Sequence, residues 1–144
     1  MEMESNYVQR IERVEYYYVM VPNKAGAGAK VFNVLKEHGV NLLAFNGFPV
    51  SEQQSQLDLV PSSGSALVAA AKKAGIKLVG PKVAFRILEW EHLGAVAEIL
   101  GKLEQAGVNV TAMQAIDTGD WRFGAIFWVK QHDIDKAAQA MGIS

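Results

Sequence analysis

Two short turns concentrate the residues whose types and spacing could do chemistry. The first, Asn23-Lys24-Ala25-Gly26, runs on through Gly28 and Lys30. Glycine there lets backbone N–H groups approach an anion, and a helix N-terminus favours negative charge. Three readings stand for it: a phosphate cradle, a carboxylate site, or a turn with a purely structural role. The string Gly-Ala-Gly-Ala-Lys-Val is neither a P-loop nor a dinucleotide fingerprint. The second turn is Glu91-His92-Leu93-Gly94. Glu89 and Glu91 fall on one face of an extended strand, close to His92, but no second cluster of metal-ligating residues accompanies them. No metal and no cofactor are expected.

Other residues invite chemistry that the rest of the sequence opposes. Asp117 and Asp120 flank Thr118-Gly119, and Asp at such a turn either bonds nearby backbone or meets a ligand. Trp121, Phe123, Phe127 and Trp128, with Tyr16, Tyr17 and Tyr18, would suit base stacking. The formal net charge of −1 and the lack of a Lys/Arg-Gly-Phe motif oppose a nucleic-acid partner. His38 near a helix end and His132 before the last helix read as solvated. No Ser-His-Asp, Cys-His or paired-carboxylate arrangement is legible, so the chain does not read as an enzyme.

The elements that must position these residues follow from periodicity and breakers. Tyr16–Val21 reads as a strand ended by Pro22. Ala27, Val31, Val34, Leu35 and His38 recur at helical spacing, and Gly39 stops that helix. Asn41–Phe48 and Gln56–Val60 read as strands, Leu67–Ala74 as a helix and Ile76–Val79 as a short strand. Gly80-Pro81 joins this unit to the next. There, Val83–Leu88, Val108–Ile116 and Arg122–Val129 read as strands, with helices over Ala95–Gln105 and from about Asp133 to Met141. The last strand of this unit is truncated or absent. Residues 1–15 read as an extension, either a helix on Val8, Ile11 and Val14 or an extended arm feeding the first strand. Tyr16–Val21 is apolar on both faces, which predicts cover from another sheet, another subunit or the N-terminal segment.

The two units are copies. LKEHGVNLLAFN starts at Leu35 and LEQAGVNVTAMQ at Leu103, a shift of 68 (103 − 35). At that shift Gly26 meets Gly94, Gly39 meets Gly107, Asn41 meets Asn109 and Ala44 meets Ala112. Downstream, Ala74-Gly75-Ile76 meets Met141-Gly142-Ile143 at 67 (141 − 74). A hairpin of different length in the two copies would produce that slip. The expected fold is α+β: two ferredoxin-like βαββαβ units in tandem, residues 16–80 and 81–144, each an antiparallel sheet with helices on one face.

A strand, a turn with Gly at the helix start, and a helix ending in Gly-Val-Asn before the next strand together resemble the ACT domain family. Here these are Asn23–Gly26 through Gly39-Val40-Asn41, and Glu91–Gly94 through Gly107-Val108-Asn109. Asp117-Thr118-Gly119-Asp120 followed by Phe123-Gly124 resembles stand-alone bacterial tandem-ACT proteins. The Asp-x-Pro-Gly turn of many ACT domains is absent. The resemblance implies a non-catalytic regulatory protein that binds a small molecule, typically an amino acid, and acts through ACT–ACT interfaces. It implies ligand contacts from Asn23, Lys24, Ala25, Gly26, Asn41, Leu42 and Leu43 in the first copy. In the second it implies Glu91, His92, Leu93, Gly94, Asn109 and Val110. It also implies a homodimer. Two other readings stay open: a small enzyme on a ferredoxin-like scaffold, with His92 or Asp120 at work, and a ligand-free oligomerisation module.

Composition sets the remaining bounds. The 144 residues contain no cysteine, which excludes disulfides and thiolate metal sites. The acidic start lacks the apolar stretch of a signal peptide, and no apolar run reaches the roughly 18–20 residues of a membrane span. A cytoplasmic protein without a membrane partner is expected.

Overall fold

The structure, a computed structural model, describes residues 10–144. The elements in chain order are β1 (Arg10–Pro22), α1 (Ala27–Glu37), β2 (Leu42–Pro49), β3 (Gln54–Pro61), α2 (Gly64–Ala74), β4 (Val79–Trp90), α3 (Ala95–Gln105), β5 (Val110–Asp117), β6 (Arg122–Val129) and, after a 3-10 turn at Gln131–Asp133, α4 (Ile134–Ala140). No helix among the described residues is long and apolar enough to cross a membrane. The chain divides into two compact units: residues 15–82, and residues 83–144 together with the start of β1.

In the first unit the strand order is β2-β3-β1-β4, with β4 contributing its first residues. Tyr17 faces Leu59 and Val19 faces Leu57 across the β1–β3 ladder. Partners across a ladder point to the same face, so these side chains share one side of the sheet. Ala27, Val31 and Leu35 of α1 and Leu67 of α2 close over it to form the core. On the other side, Tyr16, Asp58 and Val60 are buried as well. Along that second face of β1 the cover runs out, with Tyr18 half-buried and Met20 exposed.

In the second unit the order is β1-β4-β6-β5. Phe85 and Phe127 are cross-strand partners whose rings stack at 5.0 Å, at the centre of a core that Ile99 and Leu103 of α3 and Ala137 of α4 complete. After α4 there is no further strand. The fourth place in the sheet is filled instead from before the repeat, by residues 10–14. Ile11 packs on this core, Glu12 pairs with Arg86, and Arg13 grips both Asp135 and the Ser144 carbonyl, each at 3.0 Å. Of the two readings of the N-terminal segment, Ile11 and Val14 therefore follow the extended one. Their spacing of three coincides with helical periodicity, but β4 offers a strand edge. Val8 lies outside the described residues.

Two further expectations are corrected. The separate strands expected at Ile76–Val79 and from Val83 are a single strand, β4, with Gly80-Pro81 inside it; the division between the units falls two residues further on, between Lys82 and Val83. The one-residue slip does not arise in the hairpins either. Phe45 pairs with Leu59 and Met113 with Phe127, and both ladders have an irregularity at the equivalent place, Leu42/Ala44 and Val110/Ala112. The residue is lost later, where an 11-residue α2 is replaced by the 3-10 turn and the 7-residue α4.

Candidate functional site

Both turns are built alike. The N-caps of α1 and α3 are Gly26 and Gly94, at φ +87° and +82°, with no side chain capping either helix. That backbone region is disfavoured for residues with a Cβ, so glycine sets the entry into each helix. The Asn23 amide donates to the Gln53 carbonyl at 2.8 Å, which ties the first turn to the β2–β3 hairpin. The Glu91 amide donates to Trp121 at 2.8 Å in the same way, tying the second turn to the β5–β6 hairpin.

The side chains differ. Asn23 Nδ2 donates to the Ser51 and Glu52 carbonyls at 3.4 and 3.3 Å, and Asn23 Oδ1 accepts from Ser55 Oγ at 3.1 Å. Its amide is thus engaged in holding the hairpin. The space around it, about 210 Å³, is bounded by Lys24, Ala27, Gly28, Phe48 and Pro49. Ala25 and Gly26 are exposed at the turn.

The second turn opens into a larger cleft of about 600 Å³, lined by Glu91, His92, Leu93, Gly94, Val96, Ile116, Asp117, Trp121 and Phe123 among others. Leu93, Ile116 and Trp121 are largely exposed, at 101%, 70% and 68%. Hydrogen bonding to the neighbouring Asp117 carboxyl, and then its charge, push the Glu91 carboxyl above its ordinary range. His92 Nε2 lies 3.1 Å from Glu98 and Nδ1 lies 3.1 Å from the Trp90 carbonyl. Only the imidazolium can donate from both nitrogens, and the His92 pKa is raised, first by Glu98 and then by the Trp90 carbonyl. At the hairpin tip the Thr118 hydroxyl donates to Asp120 and lowers its pKa, while Asp117 accepts from the Gly119 amide at 2.7 Å. Asp120 and Asp117 Oδ1 thus serve the hairpin turn.

Asn41 and Asn109 lie elsewhere. Asn41, Leu42 and Leu43 line a cleft of about 410 Å³ with Phe32, Lys36 and Phe45. Asn109 and Val110 line one of about 430 Å³ with Leu100, Glu104 and Gly107. Within each unit, then, the turn residues and the asparagine residues border different clefts and do not come together. The Asn41 carbonyl accepts from the Ser62 amide at 2.9 Å, while the side-chain amides of Asn41 and Asn109 bond no backbone group among the described residues. Ile116 and Trp121 were not legible as cleft residues. The signal that finds them is the shift of 68, which carries the Asn23–Gln53 contact onto Glu91–Trp121. Among the described residues no group of three or more His, Asp and Glu is placed to hold a metal ion.

No protein-family model matches the chain, and comparison with curated proteins finds no match. Solved structures do resemble it. A Bacteroides thetaiotaomicron protein superposes with a TM-score of 0.79 at 19% identity, covering 92% of this chain and 88% of the other. The ligand-free regulatory subunit of aspartate kinase from Thermus thermophilus gives 0.61 at 16% identity, covering 93% and 94%. The corresponding subunit from Thermus flavus gives 0.56 at 16%, covering 94% of each chain. The chain has the α+β architecture of ACT-like, ferredoxin-like units. At these identities the likeness concerns the fold alone.

Proposed function

We propose that this chain is a non-catalytic regulatory protein built from two ACT-like repeats, which binds an amino acid and acts through association of its ACT-like units with those of a second copy. The observation that carries this reading is the duplicated unit itself. The same glycine-started helix, glycine stop and asparagine-led strand are built twice, and each copy leaves open clefts at its turn and at its second strand. The full-length likeness to regulatory subunits of aspartate kinase supports it. A ligand changes such an assembly only by binding one arrangement more tightly than another. A homodimer is part of the proposal, as is a cytoplasmic location.

A thermal-shift screen of the whole chain against the twenty amino acids and common nucleotides tests it. A ligand of the folded state at 100 times its Kd adds about 2.7 kcal/mol. A shift with one amino acid, accompanied by a change in sedimentation, supports the proposal. No shift with any amino acid at millimolar concentration removes the amino-acid reading.

A further inference from the structure

We propose that the cleft of the second unit's turn is a cation site: it takes a small organic molecule bearing an ammonium group on an apolar body, with the ammonium at Glu91 and Asp117 and the body against Trp121 and Ile116. This rests on the small-molecule reading above and deepens it by assigning the two turns opposite preferences.

The two copies have the same backbone and different charge. The first turn carries Lys24 and Lys30, and no acidic residue lies in the first turn of α1. The second carries Glu91, and Glu98 lies in the first turn of α3. Asp117 faces it from the hairpin at a position where the first copy has Pro49. The negative charge that a helix N-terminus attracts is therefore already supplied by the protein in the second copy. His92, the cationic side chain within the turn, is engaged by Glu98 at 3.1 Å. A ligand carboxylate entering here would meet two carboxyl groups and no unclaimed cation from the turn.

An ammonium meets the opposite situation. Glu91 from the turn and Asp117 from the hairpin both line the cleft, and an ammonium can donate to both carboxyl groups at once. Trp121 offers an exposed indole face beside them, which attracts a cation and buries an apolar body. The volume of about 600 Å³ is that of a small-molecule site. The equivalent place in the first unit has Asn23 already bonded to its hairpin and about 210 Å³ of space, so the preference belongs to the second copy.

The test follows the indole N–H resonance of Trp121 in the isotopically labelled full chain, assigned with Trp121→Phe. The probes are phenethylammonium, 3-phenylpropionate and phenylalanine. Phenethylammonium is expected to move the resonance saturably and 3-phenylpropionate to leave it in place. Glu91→Gln with Asp117→Asn is expected to weaken phenethylammonium by roughly tenfold or more. Ile116→Ala, which alters no charge, is expected to weaken it less. An equal response to 3-phenylpropionate, undiminished binding in the carboxamide variant, or no saturable response to phenethylammonium overturns the site. An amino acid that stabilises the chain while leaving Trp121 unmoved, with phenethylammonium inert, overturns this site and leaves the proposed function standing. A saturable phenethylammonium response with no amino-acid stabilisation upholds the site and removes the amino-acid reading.

Discussion

The Glu91 amide reaches the Trp121 carbonyl at 2.8 Å, and Trp121 holds φ +66°, the one non-glycine residue at positive φ among those described. The bond that joins the second turn to its hairpin is thus made by a residue in a backbone region that costs side-chain-bearing residues roughly 1–2 kcal/mol. A large, exposed aromatic at that position is a local expense to stability.

Trp121→Gly should therefore separate stability from binding. Glycine relieves the backbone and keeps the carbonyl, so the unfolding free energy from urea titration is expected to hold or rise by up to about 1 kcal/mol. Binding of phenethylammonium is expected to fall. A variant that loses stability as well would assign Trp121 a packing role that its exposure does not suggest.

Gly26→Ala and Gly94→Ala should cost the same. A Cβ at either position meets nothing within 4 Å, so the penalty is conformational alone. Each is expected to destabilise by about 1–2 kcal/mol in denaturant unfolding, without a change in the slope. Unequal losses would mean that one turn is held by contacts the other lacks.

Asp58 sets a pH dependence of definite sign. Its carboxyl is buried in the first unit, and burial raises its pKa, outweighing the Gln56 hydrogen bond and the Lys82 charge that lower it. A raised folded-state pKa contributes stability that is full below the unfolded value near 3.8 and lost as the pH climbs through the folded value. Asp58→Asn is expected to be more stable than the parent at neutral pH and less so in acid. The check is the melting temperature of both proteins from pH 4 to 8. Curves that stay parallel would show that Asp58 titrates no differently in the folded chain.

His92 should titrate above an ordinary histidine. Glu98→Gln removes the first cause of that shift and is expected to bring the midpoint down, leaving the smaller effect of the Trp90 carbonyl. The His92 ring resonances against pH report this directly. His92 and Glu98 are exposed, so little change in stability should accompany it.

How much of this could be read from residues alone differs from element to element. The repeat was legible because Gly39 and Gly107 stop helices after the same Leu and before the same Val-Asn, and the structure spans α1 and α3 with the same shift of 68. The hairpin registers were not legible. Spacing shows where strands lie but not which residues face one another, so the slip was assigned to the wrong segment and Trp121 could not be set beside Glu91. The strand at residues 10–14 was ambiguous for a different reason. Ile11 and Val14 satisfy helical spacing, and what decides between helix and strand is an open edge on β4, more than seventy residues away. The resemblance placed the turn residues and the asparagines in one ligand set, but within a unit they line separate clefts.

That distant edge also bears on how the chain is made. During synthesis the residues of the first unit emerge together and can pair as they appear, since their partners lie within 15–82. The second unit has no such option. Its outermost strand leaves the ribosome before the rest of that unit and must wait, unpaired, until β4 follows. Contacts of that sequence separation are slow to form. The order of completion is therefore set by connectivity: the first unit can finish while translation proceeds, and the second closes only once residues 10–14, made before the first unit, find a partner made after it.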